Sequence, residues 1–147
     1  MFESGIIEKD NFNIGEINRE FIERNGGGGS GAILSFIGIV RRSGHIEGKG
    51  VIRILIEAHE DLASKVIKNI ARELKEKYDL TDALIIHAVG EFSVGEPLVY
   101  VGLAKEHRTG LFEAMKEAID RYKSEPPLFK KEIYIDGSGK WISTGKV

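Results

Sequence analysis

The chain has no cysteine among its 147 residues. Disulfides, thiolate nucleophiles and Cys-ligated zinc or iron–sulfur sites are therefore excluded, and the composition suits a reducing cytoplasm. An excess of charge of either sign is also missing. Lys plus Arg number 21 and Asp plus Glu 23, for a formal net charge of −2. No global field gathers nucleic acid, and any anion site has to be a local cluster. No apolar run approaches the about 20 residues a membrane helix needs. The opening MFESGIIEKD lacks a basic segment and an apolar core, so it does not read as a signal peptide. The four histidines, His45, His59, His87 and His107, show no HExxH-type spacing, and no metal or cofactor is expected. No Ser-His-Asp or paired-carboxylate pattern stands out.

What remains is ordinary globular material: 41% hydrophobic and 30% charged residues, enough for one domain over 1–147 with its own core. Residues 5–9 read as a short strand, and Ile14, Ile17, Phe21 and Ile22 recur at helical spacing over 15–24. Gly26–Gly29 ends that helix. The run lacks the Lys-Ser/Thr ending of a phosphate loop and leads into a strand, so it reads as a connector. Residues 32–40 form a buried strand ending at Arg41-Arg42 and the loop SGHIEGKG. The two arginines are either a solvated strand end or an anion clamp.

Residues 51–58 alternate, with Ile52, Ile54 and Ile56 on one face, and pair with 32–40 as a hairpin. Residues 61–78 form the clearest helix, its stripe running from Leu62 through Leu74. Residues 84–89 and 98–104 are apolar strands joined by the turn-rich link GEFSVGEP. Thr109 is the expected N-cap of a helix whose buried stripe is Leu111, Phe112, Met115, Ile119 and Tyr122. Pro126-Pro127 forbids its continuation. Residues 130–135 alternate as a strand, DGSGK turns, and Trp141-Ile142 pairs back. This order has no regular βαβ alternation and argues an α+β fold with a mainly antiparallel sheet and two principal helices.

The chemistry concentrates between 105 and 132. His107 and Arg108 precede a helix N-terminus, where backbone N–H groups favour an anion; they are either ordinary polar helix-start residues or an anion site. Lys123 lies in the last turn of the same helix, where the helix dipole alone would favour a cation. Lys130 and Lys131 point to opposite faces of a strand, so only one of them can share a site with Lys123. Two converging lysines would repel, lowering the pKa of one into a range useful for proton transfer. His87, in an apolar strand, reads as a satisfied core histidine.

The segment EHRTGLFEAMKEAIDRYKSEPPLFKKE resembles the signature region of the molybdopterin synthase large-subunit family. GAILSFIGIVRR, IEAHEDLA and IIHAVGEFSVGEP match the family's other segments in order, over roughly residues 30 to 142. The resemblance implies an α/β-hammerhead-like fold and a homodimer that becomes a heterotetramer with its carrier. That carrier is a small ubiquitin-like protein whose C-terminal Gly-Gly bears a thiocarboxylate. Sulfur would pass from it to cyclic pyranopterin monophosphate, giving the molybdopterin dithiolene. By position, Lys123 is the catalytic lysine and Lys130 the second active-site lysine. The resemblance further implies that Arg41, His107 and Arg108 would bind the anionic substrate, with Lys131 and Glu132 in the same binding segment. The family builds its pocket across the dimer, so the resemblance implies that these groups would come from two chains. This chain departs from the family at Phe129, where Trp is usual, and at Ile56 and His59, where Tyr is common. It also lacks the Asn often found after the arginine. Two other classes compete: a non-catalytic scaffold that binds the carrier or a phosphorylated ligand, and a nucleic-acid-binding module, which the charge balance disfavours.

Overall fold

In a computed structural model the described residues are 1–143. Seven strands and three helices follow in the order β1 (Gly5–Glu8), α1 (Ile14–Arg24), β2 (Ala32–Ile39), β3 (Val51–Ala58), α2 (Glu60–Lys77), β4 (Asp82–Ser93), β5 (Pro97–Lys105), α3 (Leu111–Ser124), β6 (Leu128–Tyr134) and β7 (Gly139–Ser143). The strands pair in the order β2-β5-β4-β3-β6-β7. Every pairing along that path is antiparallel, and β1 adds to β4 in parallel. The fold is α+β.

β4 organises the molecule. Its first half is apolar at successive positions because both faces are covered. Ile85 packs toward α2 and α3 with Ile67, Leu74, Val101 and Met115. Leu84 and Ile86 pack toward α1 with Ile17, Phe21 and Tyr100. At Gly90 the strand leaves β5 and joins β3, with φ +133 and a Cβ position 3.2 Å from Lys9 Cβ. Only glycine suits such a corner. The stretch read as a turn-rich link is therefore strand as far as Ser93.

The hairpin expected between residues 32–40 and 51–58 does not form. β2 is an edge strand on β5, and β3 lies between β4 and β6. Stretch 40–50 far exceeds the about 2–5 residues of a hairpin loop, and its start is bonded to the β4–β5 turn through Val40 N–H to Glu96 O and Gly95 N–H to Val40 O. The expected face of β3 is also interrupted. A register shift between Val51 and Arg53 buries Val51 and exposes Ile52, as a bulge does.

α1 is capped by Asn13, whose side chain accepts the Glu16 N–H at 3.0 Å. α2 is capped by His59 Nδ1, which accepts the Leu62 N–H at 3.4 Å, and Leu62 itself is exposed rather than part of the buried stripe. α3 is capped by Gly110 at φ +81 and not by Thr109. Its buried face is Leu111, Ala114, Met115, Ala118 and Tyr122, whereas Phe112 is 67% exposed. The far end of α3 is braced against α2. Arg121 bonds Glu125 at 2.6 Å and Glu73 at 3.2 Å, and Glu117 takes Lys77 at 2.6 Å and the Tyr78 hydroxyl at 2.8 Å. Pro126-Pro127 then turns the chain into β6, with Pro127 O accepting the His59 N–H. No helix among the described residues is long and apolar enough to cross a membrane.

Candidate functional site

The braced end of α3, the start of β6 and the end of β2 surround a cavity of roughly 710 Å³. Lys123 reaches it from the last turn of α3. In β6, Lys130 pairs with Ile56 and Glu132 with Ile54, so these two share the cavity face. Lys131 faces the other way and lies 5.7 Å from the Trp141 ring centroid. Of the two β6 lysines the cavity therefore receives Lys130, as strand alternation demands. Arg41 enters from the end of β2, completing a set of three cations with none in an ion pair among the described residues. Burial holds the Lys130 ammonium below its usual value, and the charges of Arg41 and Lys123 add to that against the opposing pull of Glu132. Unpaired, mutually repelling cations around a half-enclosed space make an anion site.

Glu132 is 3% exposed and its carboxylate is already engaged. It accepts the His45 N–H at 2.9 Å and the Tyr134 hydroxyl at 2.8 Å, with His45 Nδ1 at 3.3 Å. Burial alone would raise this carboxyl; the hydrogen bonds and Lys130 outweigh it and hold the carboxyl low. The structure thus gives Glu132 the task of tying loop 41–50 to β6. The loop carries Arg41, Ser43 and His45 along the cavity wall.

His107 and Arg108 are not brought to these lysines within one chain. They line a separate open cleft with Gly110, Phe112 and Glu113 at the N-terminal end of α3. His107 Nε2 lies 3.4 Å from Glu106. Lys123 is at the opposite end of the helix Leu111–Ser124, a separation of about 20 Å at 1.5 Å per residue.

Three residues gain a place at the cavity that sequence reasoning missed. His45 sat in a loop without local pattern. His87 and Tyr122 read as core, which they are, at 6% and 4% exposure, yet both also line the cavity. Burial lowers His87 to about 4, with the Ala88 carbonyl opposing and Lys130 assisting, and burial raises Tyr122 to about 12. Among the described residues no group of three acidic or imidazole side chains is placed to hold a metal.

The family model described as MoaE protein matches residues 7–125.

The chain belongs to the MoaE family.

The match includes Arg41, His107, Arg108 and Lys123, and ends before Lys130 and Glu132. A molybdopterin synthase catalytic subunit from Bacillus subtilis is 38% identical over 77% of this chain and 70% of its own length. One from Cereibacter sphaeroides is 32% identical over 94% of this chain and 90% of its own length, so similarity to MoaE proteins continues past the limit of the family model. Among solved structures, molybdopterin synthase from Staphylococcus aureus superposes with a TM-score of 0.82 at 29% identity, covering 97% of this chain and 98% of the other.

Proposed function

We propose that this MoaE chain is the catalytic subunit of a molybdopterin synthase, a sulfurtransferase. Its substrate is cyclic pyranopterin monophosphate, and its sulfur donor is the C-terminal Gly-Gly thiocarboxylate of a small ubiquitin-like carrier. The observation that carries the reading is the meeting of Arg41, Lys123 and Lys130 at one cavity, unpaired, with Lys130 held below the ordinary lysine value. A cyclic phosphate and a thiocarboxylate are both anions and would neutralise this set. A lysine lowered by burial gives up its proton more readily than an ordinary one, and its neighbours can stabilise negative charge that develops as sulfur attacks. The sulfur arrives on the partner, so a chain without cysteine loses nothing.

His107 and Arg108 bind the anionic substrate in this reading and reach it from a second copy of the chain, because α3 separates them from Lys123 in their own copy. Lys131 serves the same segment from the outer face of β6, and Glu132 holds the loop that carries Arg41. The working assembly is then a homodimer with one carrier per site, a heterotetramer. We assign it to the cytoplasm on the cysteine-free composition.

The test is turnover. Purified protein, cyclic pyranopterin monophosphate and thiocarboxylated carrier should yield the dithiolene, and Lys123→Ala should lower the rate at least a hundredfold. A wild type that binds carrier without forming dithiolene would reduce the protein to a scaffold.

A further inference from the structure

On the cavity side of the core, His87 and Tyr122 meet edge to face, with ring centroids 5.9 Å apart and planes at 61°. Each ends in a polar atom. His87 Nδ1 lies 2.9 Å from the Ala88 carbonyl oxygen. A carbonyl can only accept, so Nδ1 carries the proton, and in the neutral ring Nε2 is left as a bare acceptor. Neither that Nε2 nor the Tyr122 hydroxyl has a hydrogen-bond partner among the described residues. Neither is sealed from solvent, since no buried side-chain polar atom is left unpaired. The cavity is the open space that both residues line. A Cβ built on Gly38 would lie 3.9 Å from the hydroxyl, and this glycine at the end of β2 keeps the approach clear.

Two polar tips left open on residues more than nine-tenths buried call for a ligand group that pairs with them. The chemistry of that group is restricted. A bare imidazole nitrogen repels phosphate and carboxylate oxygens and needs an N–H or O–H. The phenol hydroxyl beside it can donate to a carbonyl. The cations Arg41, Lys123 and Lys130 surround the same cavity, with Glu132 occupied by His45 and Tyr134. The anionic part of a ligand therefore goes to the cations and an uncharged part to the floor.

The geometry points to a neutral subsite on the floor of the cavity that reads an amide, with His87 Nε2 accepting the amide N–H and the Tyr122 hydroxyl donating to its carbonyl oxygen. Burial keeps both groups uncharged across the working pH range. The inference rests on the proposed function only for the two ligands that could bring an amide: the peptide tail of the carrier, and the ring amide of the pyranopterin.

The experiment is calorimetry on the full chain. It compares Kd for cyclic pyranopterin monophosphate and, separately, for the carrier with an ordinary C-terminal carboxylate. The proteins are wild type, Tyr122→Phe, His87→Leu and His87→Gln, with Tm recorded for each. Tyr122→Phe and His87→Leu should each weaken the same one ligand by about 3–10-fold, the loss of one hydrogen bond, and leave the other within about twofold. His87→Gln, which restores an acceptor near Nε2, should recover part of the loss. Weakening of carrier binding identifies a peptide amide; weakening of pyranopterin binding identifies the ring amide. Should His87→Leu fail to fold, Tyr122→Phe still decides, because it removes one oxygen and keeps the ring against His87. Unchanged Kd for both ligands in the folded variants overturns the inference even if wild type turns over. A shifted Kd in a protein that does not turn over defeats the sulfur-transfer reading alone, and a wild type that binds neither ligand defeats both.

Discussion

The Glu132 carboxylate accepts the backbone N–H of His45 at 2.9 Å, joining two residues 87 positions apart and closing loop 41–50 onto β6. The Tyr134 hydroxyl occupies the same oxygen at 2.8 Å. Gly44 makes room for this contact: a Cβ there would come within 2.7 Å of both carboxylate oxygens and of Val51 Cγ2. A loop that would otherwise wander is thereby fixed as a wall of the cavity.

Weakening that junction should loosen the loop and lower stability together. Glu132→Gln removes the charge from hydrogen bonds of a kind worth about 1.5–3 kcal/mol, and Gly44→Ala forces an overpacking of about 1–3 kcal/mol. Urea unfolding should show both losses. Hydrogen exchange should show faster exchange at 42–50 in each variant before any change in α2. Unaltered exchange in the loop would mean that Glu132 does not anchor it.

His87 makes stability depend on pH in a defined window. The folded state holds the ring neutral down to about 4, whereas the unfolded chain takes up its proton near 6.5. Below 6.5 the unfolded state binds more protons, so the contribution is complete above that pH and disappears as pH falls toward 4. The gap corresponds to about 3 kcal/mol. Glu132, held low, adds a further loss at more acid pH, as its own folded pKa is crossed. Thermal unfolding from pH 7 to 4 should show this slope in wild type and a flatter one in His87→Gln. An equal slope in both would remove His87 as its source.

Lys130 should titrate below an ordinary lysine, and its neighbours should set by how much. Burial is the main cause, with Arg41 and Lys123 contributing in the same direction. In a protein with 13C-methylated lysines, the Lys130 resonance should titrate upward of its wild-type midpoint once Lys123→Met removes a neighbouring charge. Lys130→Arg should fail to restore activity, since a guanidinium keeps its proton. A Lys130 midpoint unmoved by Lys123→Met would separate the two lysines electrostatically.

Much of this was legible locally. The strand read at 130–135 alternates, so residue order alone required that only one of Lys130 and Lys131 face the cavity; which one it is shows in the pairing of Lys130 with Ile56. The helix stripes placed the core of α2 and most of α3. What failed depended on distant partners. Residues 51–58 looked like the return arm of a hairpin, yet β3 completes its pairing with β4 and β6, and nothing in its own residues records that. The segment GEFSVGEP read as a turn-rich link, whereas the positive φ of its first residue, Gly90, turns a strand from one neighbour to the next. Phe112 fits the apolar period of α3 but lies on the turn beside His107 and Arg108, outside the packed face. His45 belongs to the site through a bond to β6 that no sequence spacing announces.

The separation of His107 and Arg108 from Lys123 leads to a test of how the complete site is assembled. They sit at opposite ends of α3, and no side chain spans a helix of that length. If a second copy supplies the pair, neither Arg108→Ala nor Lys123→Ala forms a complete site alone, but a mixture can. Random pairing of equal amounts makes half of all dimers mixed, and each mixed dimer has one intact site and one doubly broken site, so about a quarter of wild-type activity should return. Each variant should fold with an unchanged Tm, because Arg108 and Lys123 are both exposed and neither is in an ion pair among the described residues. The mixture must be exchanged through mild denaturant and compared with the two variants assayed separately. Recovery near a quarter requires a shared site. A mixture no more active than its components, with mixed dimers demonstrated by mass, would confine the chemistry to the residues of one chain and leave the cleft at His107 and Arg108 outside it.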